Sequence, residues 1–120
     1  MAKINNVLLI ITKPPYGFED CFSGLYIAIA CLNSRLRCII LFIGDGAYVT
    51  ISNQNPEKIS MPSVADLIYT LLPESELYVH KESLQERKIP ESRIIKGIKP
   101  VDEDELAKII LKQGEVIITF

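Results

Sequence analysis

Val7-Leu8-Leu9-Ile10-Ile11 leads through Thr12 into Lys13-Pro14-Pro15-Tyr16-Gly17, and a mostly apolar stretch, Phe18–Ser34, comes next. Five apolar residues without interruption are the pattern of a strand covered on both faces. Two adjacent prolines then stop regular structure, because proline lacks an N–H and restricts the residue before it. After them the period changes. Phe22, Leu25, Ile29 and Leu32 share one helical stripe, with Phe18, Cys21 and Ala28 beside it. A strand, a stiff loop and a buried helix within the first third of the chain make this an α/β protein. The loop sets Lys13, Tyr16 and Gly17 at the carboxyl end of a strand, the edge at which open α/β sheets receive ligands and partners.

The same alternation continues along the chain. Ile4–Thr12 reads as the first strand, Phe18–Ser34 as a helix and Arg37–Gly44 as the second strand. Ala47–Ile51 reads as a short helical turn or an extended piece, and Ser52–Ser60 as an exposed polar loop. Pro62–Leu72 is a helix with a Ser63/Asp66 capping-box pattern, an apolar face of Val64, Leu67, Ile68 and Leu71, and Pro73 as its stop. Glu76–Val79 is the third strand, ending at His80. Glu82–Lys88 is a short polar helix and Arg93–Lys96 a small fourth strand. Asp102–Gln113 is a helix with an Asp102/Glu105 capping box, Leu106, Ile109 and Ile110 facing inward, and Gly114 as C-cap. Glu115–Phe120 is the last strand. The order β-α-β-α-β-α-β-α-β predicts a single three-layer domain over residues 1–120: five mainly parallel strands with helices on both faces, flavodoxin-like in outline. Tyr26, Ile27 and Ala30 carry the apolar surface of the first helix around to its second face, which in so short a chain implies contact with another subunit.

Bulk properties narrow the function. The chain has 120 residues, 48% hydrophobic and 23% charged, which suits one globular core. No segment reaches the roughly 18 apolar residues of a membrane span. Val7–Ile11 is too short for a secretory signal and Lys13-Pro14-Pro15 breaks it, so a cytoplasmic location is expected. A net charge of −2 argues against nucleic-acid binding through phosphates. Lys81, Arg87, Lys88, Arg93, Lys96 and Lys99 are interleaved with Glu82, Glu86 and Glu91, the pattern of a solvated surface. Cys21, Cys31 and Cys38 form no C-x-x-C pair and there is one histidine, so neither a zinc site nor a disulfide framework is expected, and no cofactor.

Candidate chemistry gathers at the strand ends. Gly44-Asp45-Gly46 follows a strand but does not complete G-x-G-x-x-G, since position 49 is valine, so it reads as a tight turn whose glycines supply positive φ. Lys13, Asp45 and His80 converge if strands one to three are neighbours, and with Tyr16 they would line a small polar pocket. An imidazole there is chemically able to act as acid or base, although a lone histidine is more often structural or at an interface. Cys21, in the first turn of the first helix, stands where a helix dipole lowers a thiol pKa; its place on an apolar stripe equally suits a small buried hydrophobe. Cys31 and Cys38 read as core residues.

Taken together, Lys13-Pro14-Pro15-Tyr16-Gly17, the small-and-apolar helix, Leu41-Phe42-Ile43-Gly44-Asp45-Gly46, Leu77-Tyr78-Val79-His80-Lys81-Glu82-Ser83-Leu84-Gln85-Glu86-Arg87 and Val116-Ile117-Ile118-Thr119-Phe120 resemble the DsrE/DsrF superfamily, most closely its TusC/DsrF branch. The resemblance implies an oligomer, either a homo-oligomer or a heteromer with DsrE/TusD-like and DsrH/TusB-like subunits. Such complexes relay persulfide sulfur, in tRNA 2-thiouridine synthesis or in sulfur oxidation, and a sulfur-carrier protein is a further implied partner. It also implies that a carrier cysteine lies just after the third strand in the DsrE/TusD branch; the matching position here is His80. The expected role is therefore a non-catalytic subunit, with Lys13, Tyr16, Gly17, Gly44, Asp45, Gly46 and His80 at a pocket or subunit interface. The alternatives are a sulfurtransferase-like enzyme using Cys21 and a homo-oligomeric small-ligand binder.

Overall fold

The computed structural model describes residues 5–14, 19–51, 64–113 and 116–120. Five parallel strands form one sheet in the order β4-β3-β2-β1-β5. They are β1 (Asn6–Ile11), β2 (Arg37–Phe42), β3 (Glu76–His80), β4 (Lys99–Val101) and β5 (Val116–Thr119). The helices are α1 (Glu19–Asn33), α2 (Val64–Leu71), α3 (Lys81–Glu86) and α4 (Glu103–Gln113), with 3₁₀ segments at Gly44–Thr50 and Glu91–Arg93.

The continuous apolar runs of β1 and β2 are explained by two cores. Val7, Leu9 and Ile11 with Cys38, Ile40 and Phe42 face the side that holds Leu25, Ala28 and Cys31 of α1, Ile68 and Leu71 of α2, and Leu84 of α3. The alternate residues Leu8, Ile39 and Leu41 face the other side, where Leu106, Ile109 and Ile110 of α4 pack on them. Successive strand residues point to opposite faces, so a central strand in a doubly covered sheet has no position for a polar residue. The three inward positions foreseen for α4 are the ones that meet this second core, and Asp102 caps the helix by accepting the Glu105 N–H at 2.9 Å.

α1 closes without glycine. Leu36 N–H donates to Cys31 O at 2.9 Å while Arg35 takes a φ of 61°, the left-handed step that ends a helix and turns the chain into β2. Ser63, Gly114 and the loop 52–60 lie outside the described residues.

The fourth strand is not Arg93–Lys96 but Lys99–Val101. Ile94 and Ile95 are buried, yet they serve a different neighbour. Ile95 N–H donates to Thr50 O at 2.7 Å, and Ile94 bridges antiparallel to Ile51. Gly97, at φ 109°, then turns the chain so that Lys99-Pro100-Val101 can pair with Tyr78–His80. Proline is tolerated there because β4 is an edge strand with an unpaired side. The segment read as Ala47–Ile51 is a 3₁₀-helix beginning at Gly44, and β2 stops at Phe42.

Candidate functional site

The parallel sheet brings the ends of β1, β2 and β3 to one edge, as the convergence of Lys13, Asp45 and His80 required. Chain direction then makes one place on that edge special. β3 leads into α3, on the first face, whereas β4 leads into α4, on the second. Where adjacent strands send their connections to opposite faces, a crevice opens at their carboxyl ends. His80, the last residue of β3, and Glu103, the first of α4, stand at that carboxyl edge.

A chain of hydrogen bonds ties His80 to the turn after β2. His80 Nδ1 lies 2.8 Å from Ser83 Oγ, and Gly44 N–H donates to the same oxygen at 2.9 Å. Ser83 is buried, so this hydroxyl is an internal link between α3 and the glycine turn and has no exposure to act as a nucleophile. One turn further on, Arg87 donates through Nε to Asp45 Oδ1 at 3.1 Å and through Nη1 to Ser83 O at 3.2 Å. Asp45 and His80 therefore belong to one network, joined by Ser83 and Arg87.

This frame holds one of the two imidazole nitrogens. The Nδ1 is engaged by Ser83. The Nε2 is buried and has no hydrogen-bond partner among the described residues; Glu103 Oε1, at 3.9 Å, is too far for one. A serine hydroxyl both donates and accepts, so Ser83 serves either tautomer of the ring.

The two glycines of the turn do different jobs. Gly44 adopts φ 61°, the left-handed conformation foreseen for it. Gly46 has no such φ. Its role is close approach: a Cβ there would lie 2.0 Å from Ile11 O. Ile43 N–H donates to that same carbonyl at 3.0 Å, so the turn is laid directly across the end of β1.

Lys13 lies at the same edge just beyond β1 and is exposed. Tyr16 and Gly17 lie outside the described residues, and Cys21 falls in the first turn of α1 with its side chain outside them. Cys31 and Cys38 are buried free thiols. Burial raises the Cys31 pKa; burial, helped by the charge of Cys31, pushes Cys38 up to about 12. Neither is a ready thiolate. Sequence reasoning missed Ser83, Arg87 and Glu103. The first two stand three and seven residues after His80, a helical spacing that marks one face of α3 once His80 is placed. Glu103 carries no local signal, because only the crossing of α4 to the other face brings it near.

Comparison with known proteins agrees with this architecture. The family model described as the DsrE/DsrF-like family matches residues 5–120. The chain belongs to this family. An uncharacterized protein of Methanocaldococcus jannaschii, MJ0989, is 26% identical over 113 residues, covering 93% of this chain and 96% of that protein. A Pseudomonas aeruginosa protein named as a TusC homolog is 25% identical over 114 residues, with the same coverage of 93% and 96%. The crystal structure of the ychN protein from E. coli superposes with a TM-score of 0.83 at 23% identity, over 96% of this chain and 99% of that one. MTH1491 of Methanobacterium thermoautotrophicum, a protein of unknown function, gives 0.72 at 11% identity, over 97% and 99%. The two structural matches establish a shared fold. Among the described residues no helix is long and apolar enough to cross a membrane.

Proposed function

We propose that this DsrE/DsrF-like chain is a subunit of a persulfide sulfur-relay complex that does not itself carry the sulfur. The carrying observation is His80. It ends β3 at the carboxyl edge of the sheet, the position at which the resemblance places the carrier cysteine of the DsrE/TusD branch. Sulfur relay needs an accessible thiolate that attacks a persulfide and later leaves, and an imidazole cannot hold sulfane sulfur in that way. Cys31 and Cys38 are buried with raised pKa values and do not replace it. Similarity to a protein named as a TusC homolog supports the same role.

In this role the chain acts in the cytoplasm as one domain, assembled with DsrE/TusD-like and DsrH/TusB-like subunits, in tRNA thiolation or sulfur oxidation. The exposed apolar side chains of α1 support assembly: Tyr26 is 51% and Ile27 37% exposed in the single chain. A helix apolar nearly all round needs cover on both sides. The turn 44–46 and the Lys13 loop shape the edge that faces the partner's thiol.

Incubation of the purified chain with a persulfide donor, followed by intact-mass spectrometry, tests the proposal. The expected result is no gain in mass. A stable gain of one sulfur atom mapped to Cys21 would overturn it in favour of a Cys21-dependent sulfurtransferase.

A further inference from the structure

The carboxyl ends of β3 and β4 hold a second constellation, independent of any part in sulfur transfer. Donor atoms of His80, Glu82 and Glu103 all lie within 4.8 Å of one another. They come from three places in the fold: the end of β3, the first turn of α3 and the first turn of α4. The glutamates are exposed and would be unremarkable alone. The imidazole is not. Its side chain is 11% exposed, its Nε2 is fully buried and unsatisfied, and that nitrogen is directed to the Glu103 carboxylate across a gap of 3.9 Å.

A buried imidazole nitrogen calls for a partner, and among the described residues this one has none. Protonated, it is a donor too far from its acceptor. Unprotonated, its lone pair faces a negative carboxylate. A cation that takes the place of the Nε2 proton, which leaves to solvent, satisfies the lone pair and the carboxylate together. We infer that His80, Glu82 and Glu103 bind a divalent transition-metal ion of borderline softness, of the zinc class. One imidazole and two carboxylates are a donor set suited to that class. Two ligands on one tetrahedral zinc stand about 3.4 Å apart at ordinary bond lengths, so Glu103 closes on His80 by about half an ångström. Exposed glutamates make that adjustment by side-chain rotation. Ser83, 2.8 Å from Nδ1, supplies the outer contact: with the metal on Nε2 the ring proton sits on Nδ1, and the Ser83 hydroxyl accepts it and fixes the ring. Three protein ligands leave a further coordination position for solvent.

The test is titration of the metal-free full chain with Zn²⁺ against a chromogenic chelator, with circular dichroism to verify folding. One ion per chain is expected. His80→Ala should weaken binding by about tenfold or more, and Glu82→Gln/Glu103→Gln should do so while leaving the imidazole and its Ser83 contact intact. Glu91→Gln, an acid outside the cluster, should bind like wild type. Wild-type affinity in the double variant overturns the inference, as does loss of binding in Cys21→Ser with retention in His80→Ala. No zinc uptake by the wild type overturns it too, leaving a bridging water as the partner of Nε2.

Discussion

Replacing Gly46 by alanine should be far more damaging than making the same change two residues earlier. A methyl group at position 46 would lie 2.0 Å from Ile11 O and 2.8 Å from Ile11 C. A tolerable C···O contact is about 3.3 Å, so the turn must withdraw by about 1.3 Å. Ile11 cannot yield, because β1 is held between β2 and β5. Withdrawal weakens two hydrogen bonds, Ile43 N–H to Ile11 O and Gly46 N–H to Ile43 O. It also drags Ala47 and Val49, both fully buried, away from the core. At about 1 kcal/mol per hydrogen bond and about 1.5–3 kcal/mol for a buried valine, the loss is about 3.5–5 kcal/mol. Gly44→Ala meets only Arg87 Nη2, at 3.8 Å. Its cost is the left-handed backbone, about 1–2 kcal/mol, less about 0.4–1 kcal/mol from a stiffer unfolded chain. Urea unfolding at one fixed protein concentration, followed by circular dichroism, compares the two variants. Equal destabilisation, or a larger effect at Gly44, would refute the assignment of Gly46 to close approach.

Other consequences are open to direct measurement. Ser83→Ala leaves Gly44 N–H and His80 Nδ1 without their shared partner and should cost about 1–3 kcal/mol by denaturant unfolding; wild-type stability would mean the link is idle. Cys38 should resist iodoacetamide at mildly alkaline pH in the folded protein and react on unfolding, and rapid native alkylation at that site would contradict its burial. Because the folded thiol is raised from 9.0 to about 12, its contribution to stability is intact below pH 9 and is lost as pH climbs towards 12. Cys38→Ala should flatten that alkaline decline, and an unchanged slope would count against it. Tyr26→Glu combined with Ile27→Glu should lower the assembly mass seen by light scattering without unfolding the chain; an unchanged mass would remove α1 from the interface.

How far the sequence could be read depended on whether the information was local. The continuous run Val7–Ile11 could only suit a strand with cover on both faces, and the two cores are arranged accordingly. His80 and Asp45 were findable because strand ends in a parallel sheet share an edge. The fourth strand was misread for an intelligible reason. Ile94-Ile95 is the apolar pair in its region, but its backbone pairs with Thr50 and Ile51 and not with β3. Lys99-Pro100-Val101 looks unlike a strand, since an edge needs neither an N–H at every position nor apolar residues on both sides. Glu103 was invisible because its approach to His80 depends on which face α4 takes.

The pairing of β1 with β5 also constrains how the molecule folds. Thr12 donates to Phe120 O through both N–H and Oγ1, and Phe120 N–H donates to Ile10 O, joining segments 108 positions apart. β1 can zip to β2 across one helical crossover, but its other border waits for nearly the whole chain. Contacts of such long range form late, because the loop-closure entropy must be met first. Until then Val7–Ile11 presents an unprotected apolar border to any extended segment nearby. The last strand thus acts as a seal on the nascent sheet, and slow or incomplete docking of β5 should appear as a concentration-dependent loss of refolding yield.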